Sequence, residues 1–147
     1  MHRRRTIAAL IGVSALVMTL ALAPTAQAVT RITVTLTGAA ERPDPGDPDG
    51  TGTASFTFNR GLGEVCFDIE VTGITLPAIA AHIHIAPVTD PGPVVVPITA
   101  PDASGTSSGC VDADKALVKA ITKDPSAYYV NVHTTDFPAG ALRAQLG

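Results

Sequence analysis

An all-β domain, an antiparallel sandwich or barrel with one short helix, is the fold this sequence predicts. Three observations carry that expectation. Most of the chain beyond residue 28 alternates apolar and polar residues with period two, the pattern of half-buried strands. The alternating stretches are short and separated by turns rich in Gly, Pro and Asp. Only one segment follows the 3.6-residue period of an amphipathic helix.

The first 28 residues stand apart. Arg3, Arg4 and Arg5 precede an apolar stretch from Ile7 to Ala23, which closes on Ala26-Gln27-Ala28. That arrangement reads as a secretory signal peptide cleaved after Ala28. Pro24 and the small-x-small site argue against a retained membrane anchor. Residues 29–147 then form one domain, long enough to bury about two-thirds of the surface an unfolded chain exposes. Without the three arginines, seven basic residues face thirteen acidic ones, a net charge of −6. With no basic run, such a surface repels phosphate backbones, which excludes nucleic-acid binding. No second apolar run is long enough to span a bilayer. The expected location is secreted, extracellular or at the cell surface.

In "RITVTLTG", Ile32, Val34 and Leu36 fall on one face, with Arg31, Thr33, Thr35 and Thr37 on the other. "TASFTFN" and "EVCFDIEV" are the next strands, joined through the turn "RGLG". "AAHIHIAP" and "GPVVVPI" follow, the second flanked by prolines that suit an edge strand. "DASGTSSG" reads as a polar loop leading into Cys110. "DADKALVKAITKDP" is the helix. Asp112 is its expected cap, Leu117 and Ile121 share a face with Ala113 and Ala120, and Pro125 follows its end. Lys115, Lys119 and Lys123 form its solvated side. "AYYVNVHT" and "ALRAQL" are the last strands, with the turn "TDFPAG" between them. The acidic loop "ERPDPGDPDGTG" carries Asp44, Asp47 and Asp49 but lacks the spacing of a calcium-binding EF-hand.

Cys66 and Cys110 are an isolated pair in the exported part. Such pairs usually form a disulfide in an oxidising compartment, and their separation is unlike a C-x-x-C redox motif. A structural bridge is therefore expected.

The histidines hold the chemistry. Residues two apart on a strand share a face, so His82 and His84 project together while Ile83 and Ile85 point the other way. In "YYVNVHT", Tyr129, Asn131 and His133 share one face, and Tyr128, Val130 and Val132 the other. If the two strands are neighbours, three imidazoles converge, a donor set for one zinc or copper ion. Asp136, Glu41 or water would complete the shell. The competing reading has neutral, hydrogen-bonded rings that hold strands and loops in register, and H-x-H spacing alone favours it.

"AAHIHIAP…GPVVVPI" and "YYVNVHTTDFPAGALRAQL" resemble the CHRD domain, named for the developmental antagonist chordin and common in secreted bacterial proteins. The opening "TLTGAAERPDPGDPDGTGTASFTF" is similar to that family's first strand, Glu-containing loop and second strand. Two departures are visible: Arg143-Ala144-Gln145-Leu146 where the family usually has Arg-Gly-Gln-Leu, and Glu41-Arg42-Pro43-Asp44 where it has Glu-hydrophobic-Pro-Pro. The resemblance implies an immunoglobulin-like β-barrel or sandwich, distantly similar to copper/zinc superoxide dismutases, and no settled activity. Three histidines beyond residue 28 are too few for a bridged two-metal site, so dismutase activity is not expected. Glu41 and Arg143 both fall in family-like segments. A buried pair of these charges is read first as architecture. A pocket formed with Asn131 and Asp136 is the functional alternative.

No G-x-S-x-G elbow, phosphate-cradling glycine loop or H-E-x-x-H helix occurs, and no catalytic residue is assigned. The first expectation is a secreted, non-enzymatic module that binds an unknown extracellular protein or cell-surface ligand. The alternative is a secreted protein holding one copper or zinc ion through His82, His84 and His133. The absence of tryptophan and the low aromatic content, 4%, make a tight protein interface hard to place.

Overall fold

A computed structural model describes residues 29–147, and the segment read as a signal peptide lies outside the described residues. Eight strands form one antiparallel sheet: β1 (Val29–Thr37), β2 (Thr51–Asn59), β3 (Glu64–Thr72), β4 (Ala80–Ile85), β5 (Val94–Ile98), β6 (Thr106–Asp112), β7 (Tyr128–His133) and β8 (Leu142–Gln145). One helix, α1 (Lys115–Lys123), lies between β6 and β7. The strand order is β5-β4-β7-β8-β1-β2-β3-β6. The sheet curls until its two ends nearly meet, where Ser107 of β6 donates a 2.6 Å hydrogen bond to the Thr99 carbonyl just past β5. The all-β expectation holds, in the form of a nearly closed barrel.

The period-two pattern explains the core. Ala54, Phe56 and Phe58 of β2 and Val65, Phe67, Ile69 and Val71 of β3 are buried, and they join Leu36, Ile83, Val96, Val130 and Val132 in one apolar cluster. Their alternate neighbours face outward, as a sheet with one packed face requires. Asn59 accepts the amides of Gly61 and Leu62 with its side chain, which closes the four-residue β2–β3 turn. β5, with Pro97 inside it, is an edge strand, where a missing ladder donor costs least.

Two expectations change. Only the first half of the polar stretch before Cys110 is a turn; residues 106–109 open β6, which pairs with β3 from Glu70↔Thr106 to Glu64↔Asp112. Its Ser and Gly residues carry no alternation because β6 is an edge strand and is mostly exposed. The helix is capped by Asp114, whose carboxylate accepts from the amides of Ala116 and Leu117. Asp112 instead ends β6. The buried helix residues are Val118 and Ile121, with Leu117 only partly covered, because the helix lies rotated on the sheet relative to the sequence-based face. Cys66 and Cys110 sit directly opposite each other in the β3–β6 ladder and are disulfide-bonded.

Candidate metal centre

β4 pairs with β7, and β7 with β8, and this register assembles the site. His82 lies opposite Asn131, which lies opposite Arg143, and His84 lies opposite Tyr129, which lies opposite Gln145. His133 faces Ala80. Residues opposed across an antiparallel ladder share a face, and His133 shares that of Asn131 two residues before it, so all seven polar side chains stand on the side of the sheet away from the apolar cluster. The other face of these strands, with Ile83, Val130 and Ala144, belongs to the core.

The loop between β4 and β5 covers this polar face. Its backbone carbonyls accept from four side-chain groups: Ala86 from Gln145, Pro87 and Asp90 from Arg143, and Gly92 from His84 Nδ1 at 2.8 Å. The Gly92 amide donates in turn to the Tyr129 hydroxyl. Arg143 is consequently only 1% exposed, and its guanidinium lies 3.5 Å from the Tyr129 ring centroid. Tyr129 is stacked on His84, with centroids 4.7 Å apart and planes within 7°.

The three imidazoles converge. One ring nitrogen from each of His82, His84 and His133 lies within 4.8 Å of the other two. His82 Nδ1 and His133 Nε2 are 3.3 Å apart, close to the separation of about 3.3–3.4 Å for two tetrahedral ligands bound at about 2.0–2.1 Å. Each of two rings is oriented by a backbone carbonyl on its far side. His84 Nδ1 donates to Gly92, and His133 Nδ1 donates to Pro138 at 3.0 Å. In the neutral ring each then presents the lone pair of Nε2, the arrangement seen behind metal-bound histidines. His84 Nε2 is buried and has no hydrogen-bond partner. His133 Nε2 also lies 3.1 Å from Asn131 Oδ1, so a free lone pair on this ring requires the Asn131 amide to present its NH2 instead.

Burial lowers the pKa of all three rings from the ordinary histidine value, since a charged imidazole loses hydration there. The mutual repulsion of the rings adds to the effect at His82 and His133, and the Arg143 charge adds to it at His84. The shift favours the neutral rings, the protonation state a metal requires.

Of the other residues singled out in the sequence, Glu41 is buried on the Gly140 backbone, 2% exposed, and one carboxyl oxygen has no partner. Desolvation pushes its pKa up to about 7, against the Arg42 amide, the Arg143 charge and the Asn131 side chain. Asp136 is exposed, bonded to the Thr75 hydroxyl, and outside the imidazole cluster. Glu41 and Asp136 line a cavity of about 260 Å³ between residues 41–45 and 136–140; Glu41 also interacts with the Asn131 side chain and the Arg143 charge, and Arg143 lies beneath the β4–β5 loop. Tyr129, Gln145 and Gly92 were not among the sequence candidates. Tyr129 and Gln145 share the period-two face of Asn131 and Arg143, which was the available signal.

A pH prediction follows from Glu41. A carboxyl whose folded pKa lies above its unfolded value stabilises the fold at low pH, and that contribution is lost as pH rises from about 4.5 to about 7. The full change is about 3 kcal/mol. The histidines act with the opposite sign, because stability is lost as pH falls below 6.5 through their lowered folded values. Subtracting the urea-unfolding profile of Glu41→Gln from that of the wild type isolates the carboxyl. The amide variant is expected to be the more stable protein at pH 8. Equal stabilities there would mean that the carboxyl is not held in a low-dielectric site.

The family model for the CHRD domain matches residues 32–146. No curated protein and no solved structure matches the chain. Among the described residues, no helix is long and apolar enough to cross a membrane.

Proposed function

We propose that this chain, which belongs to the CHRD domain family, is an extracellular β-domain that binds one copper or zinc ion through His82, His84 and His133. The observation that carries the reading is the buried Nε2 of His84. No hydrogen bond of standard geometry reaches it, although the Asn131 side chain interacts with the ring, and the Gly92 carbonyl fixes the ring from its far side. An unsatisfied buried acceptor costs about 1–3 kcal/mol, and an ion shared with two nearby imidazoles would remove that cost. Export is supported by the leader-like first 28 residues and by the Cys66–Cys110 disulfide.

Metal analysis of protein purified without a histidine tag tests the proposal. One equivalent of copper or zinc is expected in the wild type, and at least a hundredfold weaker binding in His133→Ala. Sub-stoichiometric metal after incubation with either ion, or unchanged binding in the variant, would sink it. A second reading, docking to an extracellular or cell-surface partner, is favoured by the exposed Ile85, Val88 and Val94 around the β4–β5 connection. It is compatible with a metal site beneath the same loop.

A further inference from the structure

Resting on that metal reading, we infer that the three-histidine site selects monovalent copper over divalent ions, and that Arg143 and Tyr129 set this preference from behind His84. Arg143 is buried and its guanidinium lies on one face of Tyr129, while the opposite stacking partner in the chain of rings is His84. A single aromatic layer therefore separates a permanent cation from a candidate ligand. The cation is fixed by the carbonyls of Asp90 and Pro87 and by the Gln145 side chain, so it cannot swing away when an ion enters. A guanidinium remains charged across the whole working pH range.

The charges around the site point the same way. Its donors are neutral imidazoles, and among the described residues no carboxylate joins their cluster. Glu41, which interacts with the Arg143 charge, is itself pushed up to about 7 and offsets that charge only in part at neutral pH. A divalent ion would bring two positive charges against this background and a monovalent ion one. At an effective dielectric of about 20, a unit charge roughly 10 Å away changes ion affinity about tenfold for each added ionic charge. Coordination number adds to the preference. Three imidazoles can complete the shell of Cu(I), whereas Zn(II) needs a fourth ligand. Arg143 and Tyr129 are positioning residues here, since neither is placed to touch the ion.

Competition titrations against chromophoric chelators, anaerobic for Cu(I), measure the three affinities directly. The wild type is expected to hold Cu(I) at least tenfold more tightly than Cu(II) or Zn(II). In Arg143→Gln the Cu(I)/Cu(II) affinity ratio should fall about tenfold, which is about 59 mV for a one-electron couple. Arg143→Lys, which restores the charge, should keep the ratio within about threefold of wild type. A structural role alone would weaken both ions together and leave the ratio unchanged, which would overturn the inference. Loss of the ratio in the lysine variant as well would also overturn it. If Arg143→Gln does not fold, as judged by circular dichroism, the wild-type ratio decides: Cu(II) or Zn(II) as tight as Cu(I) defeats valence selection while leaving metal binding standing. Uptake of none of the three ions overturns both readings.

Discussion

Gly140→Ala is expected to destabilise the domain by about 3–5 kcal/mol, and the thermal midpoint by about 4 °C for each kcal/mol. Gly140 has φ +148°, a conformation that L side chains rarely adopt. A methyl group there would lie 2.4 Å from Cδ of Glu41 and 2.5–2.6 Å from its two oxygens. Glu41 is almost wholly buried, so making room for the methyl group means moving a carboxyl that the fold keeps from solvent. The same turn links the fold to the metal centre: Gly140 donates to the Phe137 carbonyl, and the adjoining Pro138 carbonyl orients His133. Metal affinity should therefore fall together with stability. Combining the change with Glu41→Ala, which opens the contested space, should recover part of the loss, a coupling that a double-mutant cycle measures. A midpoint within about 2 °C of wild type for the single variant would show that the turn relaxes around the added carbon, contrary to this account.

Removing the disulfide is the second large perturbation. Cys66 and Cys110 are 44 positions apart, and closing a loop of that size restricts the unfolded chain by about 4 kcal/mol at most. Beyond its backbone ladder with β3, few side chains anchor β6. Ser107 is its one buried residue, Val111 is partly covered, and the rest of the strand is exposed. In Cys66→Ala/Cys110→Ala the thermal midpoint is expected to fall by roughly 10–15 °C. Amide exchange should accelerate first along β6, since an edge strand with few buried contacts opens most readily. β4 and β7 form no ladder with β3 or β6, so the imidazole cluster should keep its metal affinity in the folded double variant. A loss below about 1 kcal/mol would mean that the β3–β6 ladder holds the strand without the bridge. Faster exchange at β4 and β7 than at β6 would contradict the placement of the weak edge.

The strength of a local pattern decided what could be read in advance. β2 and β3 are plain in the sequence because Phe56, Phe58, Val65, Phe67, Ile69 and Val71 alternate strictly and are buried. β6 is not, because an exposed edge strand needs no apolar alternation and its Ser and Gly residues look like a loop. The helix was legible from its period. Its cap at Asp114 and its buried Val118 were not, because a short helix is rotated by what it packs on, and neighbouring aspartates are equivalent until β6 has ended.

The same division holds at the site. The sequence alone determined that His82 and His84 share a face, and that Tyr129, Asn131 and His133 share another, since strand geometry fixes both relations within a single segment. Only the tertiary structure decided that the two faces are one. It did so by placing β4 beside β7, with Ala80 opposite His133 and His82 opposite Asn131. It also supplied the groups that orient the rings, the carbonyls of Gly92 and Pro138, and the cation held beneath the β4–β5 loop. Backbone carbonyls are the same atoms in every residue, so their role at a site is written in the path of the chain rather than in the identity of its side chains.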